Sequence, residues 1–163
     1  MMLGRFPITP KGHVKLGKEL QHLKNDVRPS IIAAIAEARS HGDLSENAEY
    51  AAAKEKQGMV EAKIADLEAK LACAEVIEIG DIKSDKIQFG AVVEVVDTES
   101  EKTMKYRIVG DYEADLNNGE ISIFSPLAQA LLGKIKDDEV EVTTPKGIRC
   151  FKIISIIYGN VLS

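Results

Sequence analysis

The middle of the chain carries apolar residues whose spacing alternates between four and three positions. They are Val60, Ile64, Leu67, Leu71 and Ala74. This alternation is the seam of a coiled coil, because it keeps one apolar line of a helix facing a partner helix. A second helical stripe precedes it and consists of Leu16, Leu20, Leu23, Val27, Ile31, Ala34, Ile35 and Ala38. A short break after His41-Gly42 separates the stripes, so the sequence predicts an antiparallel helical hairpin.

Two sequence features predict where the helix of the first arm starts and where it is interrupted. Thr9 followed by Pro10 is a helix-start signal, since a threonine hydroxyl can cap a helix and proline is tolerated at the first helical position. Pro29 lies where the apolar stripe changes register, and an interior proline removes a backbone hydrogen bond. We therefore expect a kink or a restarted helix at Pro29, within a helical region that runs to about Ile79. Each arm of about 30 residues would be about 45 Å long, which carries the turn far from the rest of the molecule.

The second half of the chain changes to a period of two, which is typical of strands. Runs of β-branched and aromatic residues predict strands at 89–96, 104–109, 120–124, 140–144 and 150–158. Ser125-Pro126 opens a short predicted helix at 127–132, which Gly133 closes. The fold class is therefore α+β, with a helical hairpin at 1–79 and a mostly antiparallel sheet with one helix at 80–163. The polar segment 80–88 is the expected linker.

Composition restricts the function classes. The chain has 45% hydrophobic residues and a net charge of −5, which fits a folded globular protein and disfavours strong unaided binding to duplex DNA or anionic lipid. No apolar run approaches the roughly 20 residues that span a bilayer, so we expect a cytoplasmic protein without a membrane partner. Cys73 and Cys150 are 77 positions apart without metal-ligand spacing, and we interpret them as buried thiols.

The break between the arms allows two interpretations. Asp43 and Glu46 have the spacing of a capping box, in which the two side chains satisfy backbone N–H groups at a helix start, and Gly42 suits the end of the first arm. The same spacing puts two carboxylates close together on a projecting turn, where they could bind a hard divalent cation. Magnesium needs more oxygen ligands than two carboxylates supply, so another molecule would have to complete such a site.

The stretch 29–57, together with Ser125-Pro126-Leu127 and Leu132-Gly133-Lys134, resembles the bacterial Gre transcript cleavage factors, and the GreA type more than the GreB type. The resemblance implies an N-terminal coiled coil and a C-terminal FKBP-like domain that docks at the rim of the RNA polymerase secondary channel. The coiled coil of such factors reaches the catalytic centre, where the tip carboxylates help to hold the second magnesium ion. The polymerase then cleaves the displaced 3′ end of backtracked RNA, and arrested complexes are rescued.

The same resemblance assigns roles by position. The acidic pair that acts in catalysis and shares the magnesium ion is Asp43 and Glu46. The residues that contact the RNA 3′ segment or support the tip are Arg39, Asn47, Tyr50 and Lys54. Ser125 and Pro126 are implied to lie near the polymerase-docking surface, although they are equally well explained as a helix start.

Two positions depart from the family pattern. Ser45 stands where a basic residue is common, and Lys54 stands where arginine is common. Lysine cannot make a bidentate phosphate contact, so we expect a weaker grip on RNA. The hairpin half carries a net charge of −1 and the sheet half −4, and the nearly neutral hairpin agrees with the GreA type. The expected factor is a monomer that binds no cofactor tightly and activates the nuclease of the polymerase without being an enzyme itself.

Three alternatives remain open. A relative could plug the secondary channel as an inhibitor without promoting cleavage. An FKBP-like domain could be a prolyl isomerase, although the absence of Trp and an aromatic content of 5% disfavour an isomerase pocket. The hairpin could also be a structural adaptor, for which the acidic tip would be dispensable.

Overall fold

The computed structural model describes residues 4–43, 47–79 and 84–159. The chain folds into two compact units. One contains His13–Ala74, and the other contains Phe6–Gly12 together with the chain from Glu75 onward. The first is a helical hairpin and the second is built on a sheet, so the predicted α+β class is confirmed.

Helices account for most of the first 73 residues. In chain order they are α1 (Pro10–His22), a π-helical turn (Leu23–Val27), α2 (Arg28–Arg39) and α3 (Ala48–Cys73). The predicted start of α1 is confirmed, because the Thr9 hydroxyl oxygen accepts a hydrogen bond from the Gly12 N–H at 3.0 Å. α3 ends at Cys73, so the expectation of helix up to about Ile79 was wrong.

The π-helical turn explains the change of register near Pro29. The Arg28 N–H bonds to the Leu23 carbonyl, five residues back, so this turn holds one residue more than an α-helical turn. Val27 and Arg28 both keep right-handed helical dihedrals, and the backbone passes into α2 without leaving the helical region. Since Pro29 cannot donate a backbone hydrogen bond, a widened turn just before it is a physically reasonable place for the extra residue.

The hairpin closes along a seam between α2 and α3. Its buried residues are Ile35, Ala38, Ala53, Ile64 and Leu67. Ion pairs join the two arms, with Lys24 Nζ 3.3 Å from Glu68 Oε1 and Arg28 Nε 2.8 Å from Glu61 Oε1. The earlier residue of the first arm pairs with the later residue of the second, which confirms the antiparallel arrangement.

The seam differs in detail from the sequence prediction. Ala53 is the buried alanine near the start of α3, whereas Ala51 and Ala52 are exposed. Met59 is 58% exposed, so it lies outside the buried seam. The alternating steps of four and three, counted back from Ile64, reach Val60, Gln57 and Ala53. Because Gln57 is polar, it interrupts the apolar pattern, and the sequence does not show that Ala53 belongs to the seam.

The described residues form two sheets. A two-stranded sheet pairs β1 (Phe6–Ile8) with β2 (Ala74–Val76). A five-stranded sheet has the order β5-β4-β3-β7-β6, and its strands are β3 (Val92–Asp97), β4 (Thr103–Val109), β5 (Glu120–Ser122), β6 (Glu139–Thr144) and β7 (Gly147–Ile157). All neighbours are antiparallel except β4 and β5, so the sheet is mixed.

One short helix, α4 (Pro126–Leu131), covers one face of this sheet. Ala128 and Leu131 of α4 are completely buried. They join a core whose least exposed sheet residues are Val93, Val95, Ile108 and Ile153. Burying such side chains contributes about 1.5–3 kcal/mol each relative to exposure, so this layer is the main source of stability of the unit.

Candidate functional site

The tip of the hairpin begins where α2 ends. The N–H groups of Ser40 and His41 both return to the last turn, with His41 bonding to the Ala38 carbonyl at 3.2 Å. Gly42 has a φ of +112°, which glycine adopts far more readily than other residues. Its predicted place at the end of the first arm is therefore confirmed, and Asp43 follows it directly.

Asn47 connects the two arms at the base of the tip. Its side-chain oxygen Oδ1 accepts from the Tyr50 N–H at 3.0 Å and so caps the start of α3. Its side-chain nitrogen Nδ2 donates to the Ala38 carbonyl at 2.6 Å, near the end of α2. An amide can make both contacts because it carries an acceptor and a donor.

This geometry corrects the capping-box interpretation. The N-cap of α3 is Asn47, not Asp43, and α3 begins at Ala48. A carboxylate at the cap could accept from Tyr50 but could not donate to Ala38, so the cross-arm contact needs a donor that aspartate lacks. Leu44, Ser45 and Glu46 lie outside the described residues, so the predicted pair of Asp43 and Glu46 stays a prediction.

The structure brings two of the predicted RNA-contacting or supporting residues together. The Arg39 guanidinium carbon lies over the Tyr50 ring, 5.9 Å from its centroid, which is within range of a cation–π interaction. Arg39 is exposed at the end of α2, and Tyr50 is half-buried in the first turn of α3. Lys54 lies one helical turn further along α3, and its Nζ donates to Gln57 Oε1 at 3.1 Å.

A second cross-arm contact was missed by the sequence analysis. His41 Nε2 lies 4.0 Å from Glu49 Oε2, at the limit of an ion pair. Glu49 was not singled out from the sequence. Glu49 lies in the first turn of α3, where a negative charge interacts favourably with the helix dipole.

The described residues do not form a complete metal site. Across 4–43, 47–79 and 84–159, no three His, Cys, Asp or Glu side chains are grouped so that they could hold a metal ion. The same ranges contain no helix long and apolar enough to cross a membrane.

Ser125 and Pro126 form the start of α4, as the sequence predicted. The Ser125 hydroxyl oxygen accepts from the Ala128 N–H at 3.2 Å and donates to the Ser122 carbonyl at 2.7 Å. Pro126 is exposed in the first turn, and Phe124 beside it is 61% exposed. The exposed aromatic ring next to the serine was not singled out from the sequence.

Two family models match the chain in series. A model described as transcription elongation factor, N-terminal, matches residues 6–76, and one described as transcription elongation factor, GreA/GreB, C-terminal, matches residues 82–158. The chain belongs to the GreA/GreB family of transcription elongation factors. This confirms the resemblance drawn from the tip motif and from the start of α4.

Full-length relatives support the GreA type within this GreA/GreB family. Transcription elongation factor GreA of Rickettsia conorii is 53% identical over 157 residues, covering 96% of this chain and 97% of that protein. GreA of Hyphomonas neptunium is 52% identical over 154 residues, covering 94% and 98%. Among solved structures, GreA factor homolog 1 of Thermus thermophilus is 28% identical, with 94% and 99% coverage and a TM-score of 0.43.

Proposed function

We propose that this elongation factor binds bacterial RNA polymerase in the cytoplasm and stimulates the polymerase's own magnesium-dependent cleavage of backtracked RNA. The hairpin tip would enter the secondary channel and act on the RNA 3′ end, so that arrested complexes resume elongation. The observation that carries the proposal is the match of both halves of the chain to the GreA/GreB models, in the order of that family.

The construction of the tip supports an acidic pair that acts in partnership with another molecule. Asn47 ties the ends of α2 and α3 together, so the loop that carries Asp43 and Glu46 is closed by a side-chain contact at its base. Asp43 and Glu46 would supply hard oxygen ligands, which magnesium prefers.

The magnesium ion would supply activation of the attacking water and neutralisation of charge on the leaving oxygen. The side chains of the factor would hold the magnesium ion and orient the RNA. Asp43 and Glu46 would hold the ion and its water, while Arg39 and Lys54 would bind the phosphates of the displaced RNA. Since no nucleophile comes from the factor, it is an accessory protein and not an enzyme in this proposal.

The docking role is proposed for the surface at the start of α4. Ser125 is occupied by two local hydrogen bonds, while Pro126 and Phe124 offer apolar surface to solvent. An aromatic ring beside a rigid helix start suits contact with a protein partner, because interface centres are enriched in aromatic residues. This surface would bind the polymerase while the tip acts on RNA.

A backtracked elongation complex incubated with the protein and magnesium, followed by sizing of the RNA, tests the proposal. We expect Asp43→Asn and Glu46→Gln to reduce stimulated cleavage to the rate of polymerase alone while competition for polymerase is retained. Glu49→Gln is the matched control, since it removes an acidic charge from the same tip and should keep most of the stimulation. Equal loss of cleavage in all three variants would point to the net charge of the tip instead of a specific pair.

The same experiment separates the proposal from two of the three other roles considered above, the channel-binding inhibitor and the structural adaptor. A channel-binding inhibitor would bind polymerase and slow elongation without shortening the RNA. A structural adaptor would show the same activity with and without the acidic pair. Either result would contradict the proposed function.

A further inference from the structure

The four residues Ala38, Arg39, Asn47 and Tyr50 form one connected group, which we call the tip clamp. Asn47 Nδ2 donates to the Ala38 carbonyl at 2.6 Å, and Asn47 Oδ1 accepts from the Tyr50 N–H at 3.0 Å. Arg39 follows Ala38 in the chain, and its guanidinium lies over the ring of Tyr50. The hydrogen bonds of Asn47 therefore fix the separation of the two backbones that carry Arg39 and Tyr50.

We propose that Asn47 and Tyr50 are positioning residues that hold Arg39 so that its guanidinium binds a phosphate group of single-stranded RNA. This inference rests on the proposed function and assigns a specific role to two residues that the family resemblance leaves as contact or support. Arg39 is the group that touches the ligand, and Asn47 and Tyr50 act through it.

The chemistry of the guanidinium favours this arrangement. A guanidinium held near an aromatic ring by the cation–π attraction keeps its five N–H donors available for other partners. Those donors form a fork that matches two phosphate oxygens. Because Arg39 is exposed, the fork can reach a ligand in solvent, and the ring of Tyr50 reduces the number of side-chain orientations that must be lost on binding.

The burial of the two partners argues against a direct RNA contact for either. The Arg39 guanidinium lies over one face of the Tyr50 ring, 5.9 Å from its centroid, and Tyr50 is half-buried at the start of α3. Asn47 is also half-buried, and both ends of its amide already contact backbone groups. A stacking platform for a base would need an open aromatic face, which Arg39 occupies on this side.

Nuclear magnetic resonance of the full chain tests the positioning without polymerase. Protons held over an aromatic face are shifted upfield, so the side-chain resonances of Arg39 should show this displacement. Tyr50→Phe should preserve it, because the ring remains. Tyr50→Leu should abolish it, and Asn47→Asp should weaken it, because aspartate keeps the cap on Tyr50 but loses the donor to Ala38. Unshifted Arg39 resonances in the unmodified chain would overturn the proposal.

A titration with a single-stranded RNA tetranucleotide tests the phosphate contact, again without polymerase. The Arg39 Nε–H resonance should move on addition of the RNA in the unmodified chain and in Tyr50→Phe. The affinity should be about two- to fivefold weaker in Tyr50→Leu, as expected for loss of an exposed cation–π contact. Equal affinity in Tyr50→Leu and Tyr50→Phe would show that the ring does not position the guanidinium.

The cleavage assay supplies a double-mutant cycle. If Tyr50 acts through Arg39, the double variant Arg39→Gln/Tyr50→Leu should cleave no more slowly than Arg39→Gln alone. Multiplicative losses would mean that Tyr50 contacts the transcript independently, which contradicts the proposal. Lys63→Gln, an equal loss of charge at an exposed site of α3, is the matched control and should be close to the unmodified protein. An unmodified factor that cleaves nothing would contradict the proposed function, while the resonance measurements still decide the positioning.

Discussion

Arg149 of β7 binds Asp97, the last residue of β3, through two nitrogens of its guanidinium. Nη2 lies 2.7 Å and Nε 3.1 Å from the same carboxylate oxygen, Oδ2. The other oxygen of Asp97 accepts from the N–H groups of Glu99 and Ser100, at 2.9 and 3.2 Å. One carboxylate with 7% side-chain exposure thus closes the turn after β3 and pairs with the neighbouring strand. These contacts, with Arg149 contributing most, hold the pKa of Asp97 below its usual range.

Asp97→Asn should lower the melting temperature at neutral pH. A depressed pKa in the folded state means that the ionised form stabilises the fold above the ordinary pKa of aspartate, near 3.9, and that this contribution is lost as the pH falls through the folded value. The difference in melting temperature between the unmodified chain and the variant should therefore shrink as the pH is lowered from 7 towards 3. Thermal melts at several pH values measure it.

Asp85→Asn is the control for this experiment, because Asp85 is an exposed aspartate in the same unit. Its melting temperature should follow that of the unmodified chain at each pH. A pH-independent difference for Asp97→Asn would mean that the ionised carboxylate does not contribute through these contacts.

Gly58→Ala should stabilise the hairpin. Gly58 lies inside α3, is exposed, and has no atom within 4 Å of the place where a β-carbon would be added. Alanine is about 1 kcal/mol more favourable than glycine in such a position, because it restricts the unfolded backbone. Helix unfolding followed by circular dichroism should occur at higher temperature. The reverse change at a nearby exposed site, Ala62→Gly, should lower the transition by a similar amount.

Gly110→Ala should destabilise the sheet unit. A β-carbon at Gly110 would lie 2.4 Å from the Pro7 carbonyl oxygen, which is backbone and cannot rotate away. The Gly110 N–H also donates to Glu113 Oε2 at 3.0 Å, and the same oxygen accepts from the Thr9 N–H at 2.8 Å. Relieving the clash would move the segment before α1, at a cost of about 1–3 kcal/mol. Urea denaturation measures the loss of unfolding free energy. An unchanged midpoint would show that the Pro7 segment can move away from the new β-carbon without an energetic cost.

Substitutions at Ser125 should separate helix capping from docking. Ser125→Ala removes the acceptor for the Ala128 N–H and should cost about 0.5–2 kcal/mol of stability. Ser125→Asn and Ser125→Asp both keep a good capping group, and only aspartate adds a charge. We expect Ser125→Asp alone to weaken competition for polymerase while the melting temperature is kept. Equal binding of the asparagine and aspartate variants to polymerase would show that Ser125 is not part of the docking surface.

The sequence predicted the large elements because their patterns are long. Five strands and α4 were located to within a few residues, and Thr9 and Ser125 were recognised as caps from local chemistry. The sheet pair of β1 and β2 was missed. Each of its strands has three residues, which is too short to show a period of two, and Ala74 also fits the helical seam.

The details of the tip could not be predicted because they depend on contacts between residues far apart in sequence. Asp43 and Glu46 have the spacing of a capping box, yet Asn47 caps α3, and its amide nitrogen also donates to the Ala38 carbonyl. The parallel pairing of β5 with β4 likewise depends on tertiary contacts. A three-residue strand carries no sequence signal for the direction in which it pairs. The family resemblance identified the tip residues, and the structure explains how two of them are held.

The widened turn at Leu23–Val27 sets the rotational phase of everything that follows in the first arm. One residue corresponds to about 100° around a helix axis. If the extra residue of that turn were deleted, the segment would close into an ordinary α-helical turn, and Ile35 and Ala38 would still face α3. A deletion in the first two turns of α2 would instead rotate Ile35 and Ala38 away from α3 by about 100°. Loss of a single codon should therefore be less harmful at the widened turn than in the regular helix that follows it.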